Sequence, residues 1–208
     1  MARILVMLLA GLPLLVQAQA LVGDADAGAE KAAVCAACHG MDGNSQVPIW
    51  PKLAGQHAEY LTRQSILVRE QDRDVPEMYP IVANMSDQEL ADIAAFYEQQ
   101  ALEPGVADEE LVELGESIFH AGNADSSVPA CAACHGPTGS GIKGAHYPML
   151  RNQHADYTVS RLNEYRDGVT SGDKDPYSSI MVAVSKNLTD EEIQAVSSYI
   201  EGLHMARW

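Results

Sequence analysis

Basic residues are scarce in this 208-residue chain: 13 Lys and Arg stand against 29 Asp and Glu, a formal charge of −16. A nucleic-acid binder needs a basic footprint to neutralise phosphates, so that class is excluded. Direct adhesion to anionic lipid is disfavoured for the same reason. No stretch past residue 20 approaches eighteen consecutive apolar residues, so no spanning helix is expected beyond the N-terminus. The alternating apolar–polar runs that announce strands are missing too. Cysteine is limited to four residues, all in two identical pentads, which leaves none for a structural bridge. What remains is an acidic surface suited to small ligands or to a partner carrying a basic docking patch.

The first twenty residues read as a secretory signal peptide. Arg3 supplies the positive start, Ile4 to Val16 form an apolar run broken only by Gly11 and Pro13, and Ala18-Gln19-Ala20 gives the small-x-small pattern of a cleavage site. An uncleaved anchor is the competing reading. Cleavage would leave 12 basic and 29 acidic residues, a mature charge of −17, in an exported, soluble protein.

The pentads are Cys35-Ala36-Ala37-Cys38-His39 and Cys131-Ala132-Ala133-Cys134-His135. Cys-x-x-Cys-His is the c-type haem attachment pattern. Two thiols three residues apart can add to the two vinyl groups on one porphyrin edge, and the adjacent His then lies under the iron. A zinc site competes, but 92 residues separate the two Cys pairs, far from ribbon spacing. A dithiol redox centre competes as well, though it wants a strand–helix setting and no terminal His.

An internal repeat runs well past the pentads. Pro51-Lys52-Leu53-Ala54-Gly55-Gln56-His57-Ala58-Glu59-Tyr60 matches Pro148-Met149-Leu150-Arg151-Asn152-Gln153-His154-Ala155-Asp156-Tyr157. Ser86-Asp87-Gln88-Glu89 recurs as Thr189-Asp190-Glu191-Glu192, each a capping box. Leu90, Ile93, Ala94 and Tyr97 follow the first at helical spacing, and Ile193, Val196 and Ile200 follow the second. Opening helices are expected over Asp26 to Val34 and over Asp108 to His120, with Leu111, Leu114 and Ile118 on one face. Glu103-Pro104-Gly105 breaks the chain between the halves. The expected fold class is all-α, two helical domains of similar plan, each around one haem. The expected boundaries are 1–20 for the signal peptide, 21–104 for the N-terminal domain and 105–208 for the C-terminal domain.

Each iron then needs a sixth ligand. Met78 lies eight residues before Ser86 and Met181 eight before Thr189, and no other methionine pair keeps this equivalence. Met85 and Leu188, just ahead of their caps, read as staple residues packing on Leu90 and Ile193. Met149 aligns with Lys52, Met41 with Pro137, and Met205 lies in the tail. His57 and His154 also form a repeat pair and compete as ligands, or serve as polar residues at helix starts. His120, His146 and His204 have no repeat partner. Methionine ligation raises the reduction potential relative to histidine pairs and leaves no vacant position, so such a haem moves single electrons. Pro51 and Pro148 offer carbonyls to orient the proximal imidazoles, or are simply loop prolines.

On both pentads, both Pro-x-Leu segments, both capping boxes and the spacing to Met78 and Met181, the chain resembles the dihaem cytochrome c4 family, tandem class I c-type cytochrome domains. The resemblance covers essentially the whole mature chain. It implies two covalently bound haem c groups attached through Cys35, Cys38, Cys131 and Cys134. It implies axial ligands His39 and Met78 in one half, His135 and Met181 in the other. It also implies an electron-transfer protein rather than an enzyme, shuttling electrons in the periplasm between redox protein partners, from quinol–cytochrome c reductase towards a terminal oxidase. The dihaem subunit of flavocytochrome c sulfide dehydrogenase is similar in plan, so an enzyme's electron-transfer subunit is the alternative. A dihaem peroxidase or a thiosulfate dehydrogenase is a third. Gly28 and Gly115 would meet Tyr97 and Tyr199 where first and last helices cross. The halves differ: sixteen residues against seven separate glycine from first Cys, and 46 against 39 separate pentad His from Met. Arg73 in the first half has Thr170 near the similar place, so an arginine beside a haem carboxylate would set the two pockets apart.

Overall fold

The computed structural model describes residues 21–204. The signal segment and Met205 lie outside the described residues. Among the described residues ten α-helices follow one another: α1 (Ala25–Lys31), α2 (Ala36–His39), α3 (Ala58–Arg69), α4 (Tyr79–Val82), α5 (Asp87–Glu98), α6 (Val112–Ala121), α7 (Ala132–His135), α8 (Ala155–Arg166), α9 (Pro176–Ser185) and α10 (Asp190–Gly202). Among the described residues extended pairing is limited to two isolated bridges, Asn123 with Val128 and Ile142 with Tyr147. None of the described helices is long and apolar enough to cross a membrane. The all-α expectation holds.

Both capping boxes form. Ser86 Oγ accepts the Glu89 amide at 3.3 Å while Glu89 Oε2 accepts the Ser86 amide at 2.9 Å. Thr189 and Glu192 repeat this at 3.2 and 2.9 Å. Behind each cap the apolar stripe turns inward. Ile193, Val196 and Ile200 of α10 join Ile118, Phe119 and Leu188 in one core, and Leu90 packs with Val68, Val82 and Met85 in the other half. Leu188 and Met85 thus cluster with Ile193 and Leu90 as the staple reading expects. Each fully buried aliphatic contributes about 1.5–3 kcal/mol.

The opening helices differ in detail. α1 runs into a 3-10 turn over Ala32–Val34, close to expectation. α6 starts later than Asp108, at Val112. The Asp108 amide is taken by Ser198 Oγ at 2.8 Å and its carboxylate accepts the Glu110 amide at 3.0 Å, which holds 108–111 as a turn.

α1 crosses α5 and α6 crosses α10 through their glycines. A Cβ at Gly28 would sit 1.9 Å from the Asp92 carbonyl oxygen, and one at Gly115 would sit 2.3 Å from that of Ala195 and 2.6 Å from Tyr199 Cβ. Gly115 therefore meets Tyr199 as the resemblance implies, whereas Gly28 seats on Asp92 rather than Tyr97. The capping boxes explain the mismatch: their register equates Tyr199 with Phe96 and Tyr97 with Ile200. Tyr97 turns inward, its hydroxyl 3.5 Å from the Ala32 carbonyl.

The halves meet along a seam with local two-fold character. Gln56 Nε2 donates to the Met149 carbonyl at 2.8 Å and Gln56 Oε1 accepts the Met149 amide at 3.0 Å. Gln153, its repeat counterpart, does the same to Lys52, at 2.9 and 2.8 Å. The connecting segment is pinned beside it. Asn44 Oδ1 accepts the Glu103 amide at 2.9 Å, and Lys52 Nζ donates to the Glu103 carbonyl at 2.9 Å.

Candidate haem sites

The pentads fold as single helical turns, α2 and α7, each following the opening helix of its half. In both, the cysteines stay half-buried while the histidine turns fully inward: His39 and His135 are each 6% exposed. His39 Nδ1 donates to the Pro51 carbonyl at 2.8 Å, and His135 Nδ1 donates to that of Pro148 at 2.9 Å. A carbonyl only accepts, so each ring carries its proton on Nδ1 and keeps a lone pair on Nε2. Burial lowers both imidazole pKa values, and the carbonyl bonds only partly offset it. The rings are neutral and oriented, which a metal ligand requires.

Burial acts on the thiols in the opposite direction. Cys35 is pushed up, and Cys131 is pushed up to about 11. A dithiol redox centre depends on a lowered thiol pKa, so these pairs do not resemble one. Among the described residues, no group of three or more His, Cys, Asp or Glu is arranged to hold a metal ion by itself.

One cavity of about 650 Å³ is lined by Cys35, Cys38, His39 and Met78 from the first half. Cys131, Cys134, His135 and Met181 from the second half line the same cavity. The two methionines reach it differently. Met78 precedes the one-turn helix α4, while Met181 is the sixth residue of the ten-residue α9. The longer second half accounts for this, since fifteen residues separate Met181 from the end of α8 and nine separate Met78 from the end of α3.

The competing histidine pair lies elsewhere. His154 Nε2 donates to the Ser45 carbonyl at 2.8 Å and its Nδ1 lies 3.4 Å from Glu201 Oε1. His57 stands at its N-cap beside Gly141, across the seam. Neither lines the cavity. Met41 is 72% exposed; Met85 and Met149 line the cavity too, Met85 packed in the apolar core and Met149 with its methyl end facing Gly55. His204 is exposed, and exposed His120 bonds the Tyr199 hydroxyl at 3.1 Å. Half-exposed His146 packs on Tyr177.

Comparison with known proteins identifies the family. The family model for cytochrome c matches twice in tandem, at residues 25–100 and 112–204. Cytochrome c4 from Pseudomonas aeruginosa is 46% identical over 98% of this chain and 100% of its own length. The chain belongs to the cytochrome c4 family. Cytochrome c4 from Thiocapsa roseopersicina is 47% identical over 88% of this chain and 94% of its own. The crystal structure of reduced recombinant cytochrome c4 from Pseudomonas stutzeri superposes with a TM-score of 0.83 at 43% identity, covering 88% of this chain and all of that one. Family membership makes this a dihaem c-type cytochrome of two tandem cytochrome c domains, an electron-transfer protein rather than an enzyme. Its two pentads fit two covalently bound haems.

Several cavity residues escape sequence reading. Tyr60 and Tyr157, Arg63, Arg161, Tyr165 and Tyr177 all line it. The Tyr60–Tyr157 pair stands in the repeated decapeptide, but nothing local to either tyrosine points to a cavity.

Proposed function

We propose that the protein is a periplasmic single-electron relay with histidine–methionine ligation at both irons. Each haem is attached through one Cys pair: Cys35 with Cys38, and Cys131 with Cys134. His39 and His135 serve as proximal ligands, Met78 and Met181 as distal ones. The domains divide at residue 104, after an export signal over residues 1–20. The observation that carries the reading is the shared cavity, with both Cys-Cys-His sets on its walls and, among the four methionines that line it, the one pair at equivalent repeat positions, Met78 and Met181.

Bound haem supplies a reversible one-electron ferric–ferrous couple. The chain supplies the rest. The Pro51 and Pro148 carbonyls fix the imidazoles, so little rearrangement accompanies electron transfer. The thioethers of Met78 and Met181 would hold the iron with soft sulfur, favour its ferrous state and exclude exogenous ligands. The acidic surface steers redox partners that carry basic patches, so association slows as ionic strength rises.

The test is a potentiometric optical titration of the mature holoprotein with carbon monoxide added to the reduced form. Two low-spin haems at positive potentials, inert to carbon monoxide, are expected. A high-spin species or carbon monoxide binding would move the reading to a catalyst, and strongly negative potentials would overturn methionine ligation.

A further inference from the structure

Arg73 stands at the seam without an anion. Its side chain leaves the turn after α3 and enters the cavity, where Nη1 donates to Gln64 Oε1 at 2.8 Å. Nη2 donates across the seam to the Tyr157 hydroxyl at 3.1 Å. Both partners are neutral. A guanidinium carries five N–H donors, and Arg73 Nε is buried with no partner among the described residues. The described ion pairs give it no carboxylate. Its cationic neighbours do better: Arg63 Nε lies 3.8 Å from the buried Asp175, and Arg161 pairs with Glu164. Arg161 is also near enough to repel Arg73. Tyr60, Tyr157 and Tyr165 complete the polar wall around it.

A half-buried charge whose Nε is shut off from water, with neutral partners and a like charge nearby, is unfavourable unless an anion joins it. The cavity receives such anions by its own chemistry. Each haem bears two carboxylates on the porphyrin edge away from its two thioether bonds, and a planar guanidinium fork matches a carboxylate in a bidentate manner.

We infer that Arg73 is the counter-cation of haem carboxylate at the seam. Standing in the first half and bonded to Tyr157 of the second, it raises the reduction potential by opposing the added positive charge of ferric iron. The inference rests on the relay reading, because it needs both haems seated in this cavity.

The test compares wild type, R73Q and R73K as dihaem holoproteins by spectropotentiometry between pH 5 and 9. In R73Q at least one potential falls, by up to a tenfold change in the ferrous-to-ferric ratio, which is about 59 mV for a one-electron couple. A dependence on pH also appears or strengthens, since a carboxylate that loses its cation titrates at higher pH. R73K keeps the charge and holds most of the potential. If R73Q fails to assemble, R73K decides by itself: the carboxylate stretching bands in its redox-difference infrared spectrum shift, because an ammonium cannot make the bidentate contact. Unmoved potentials in R73Q, a fall in R73K as large as in R73Q, or unmoved carboxylate bands would overturn the inference. Those outcomes would leave the relay reading standing, which fails only if wild type lacks two low-spin haems.

Discussion

Gln56 holds Met149 by both of its backbone groups, donating to the carbonyl at 2.8 Å and accepting the amide at 3.0 Å. Gln153 repeats the arrangement on Lys52. A strand edge offers the same donor–acceptor pair to its neighbour; here one side chain satisfies it, and the two halves are joined without a sheet. Replacing Gln56 by Ala leaves a buried amide and carbonyl without partners, at about 1–3 kcal/mol for each group left unsatisfied. Thermal unfolding of Q56A should show the loss. Q153A should cost a similar amount, because Lys52 is as buried as Met149. Equal stability of Q56A and wild type would mean that the seam is held by its apolar contacts alone.

The glycine crossings give a sharper test. A methyl at Gly28 would stand 1.9 Å from the Asp92 carbonyl oxygen, which is backbone and cannot rotate away, so α1 must lift from α5. Gly28→Ala and Gly115→Ala should each destabilise by about 2 kcal/mol or more, in the range of overpacked cores. Gly144 has open space around its would-be Cβ and makes the control. Gly144→Ala should be neutral in the same melting experiment.

Much of this was legible because the chain repeats itself. The pentads and the capping boxes depend on short, local spacings, and the structure keeps each as a helical turn or a cap, whereas Met78 and Met181 reach the cavity from differently built segments. The Gly28–Tyr97 contact failed because an aromatic near the end of each last helix was matched one residue out of register. The Asp108 helix start failed because Ser198, ninety residues away, anchors the Asp108 backbone and the chain turns once more before the helix begins at Val112. Arg73, Gln56 and Gln153 act through partners in the other half of the chain. No local pattern carries such a contact; it exists only once the halves have docked.

Ligand assignment separates the methionines cleanly. Met78→Ala and Met181→Ala should each convert one haem to a form that binds carbon monoxide, with a lowered potential at that haem, because a thioether that stabilises ferrous iron is gone. Met41→Ala, at a residue 72% exposed, and Met149→Leu, at the seam, should leave both haem spectra unchanged. Retention of two carbon-monoxide-inert low-spin haems in both Met78→Ala and Met181→Ala would sink the assignment.

The α1–α5 crossing also carries an acid-sensitive bond that the second half lacks. Asp92 Oδ1 accepts the Asp24 amide at 3.0 Å and Oδ2 accepts Lys31 Nζ at 2.8 Å, with Gln88 Nε2 also donating at 2.8 Å. These bonds, the Asp24 amide foremost and then Lys31, lower the carboxyl pKa to about 2. The register of the capping boxes puts Ala195 at the equivalent place. A carboxylate whose folded pKa lies below its unfolded value of about 3.9 adds stability that is complete above pH 4 and vanishes as pH falls towards 2. With solvent screening, its share at neutral pH is about 1–2 kcal/mol. Asp92→Asn should therefore lower the melting temperature at pH 7, and the gap to wild type should close between pH 4 and pH 2. A gap that stays constant down to pH 2 would place the cost in lost geometry rather than in the charge, since only the charge is removed by protonation.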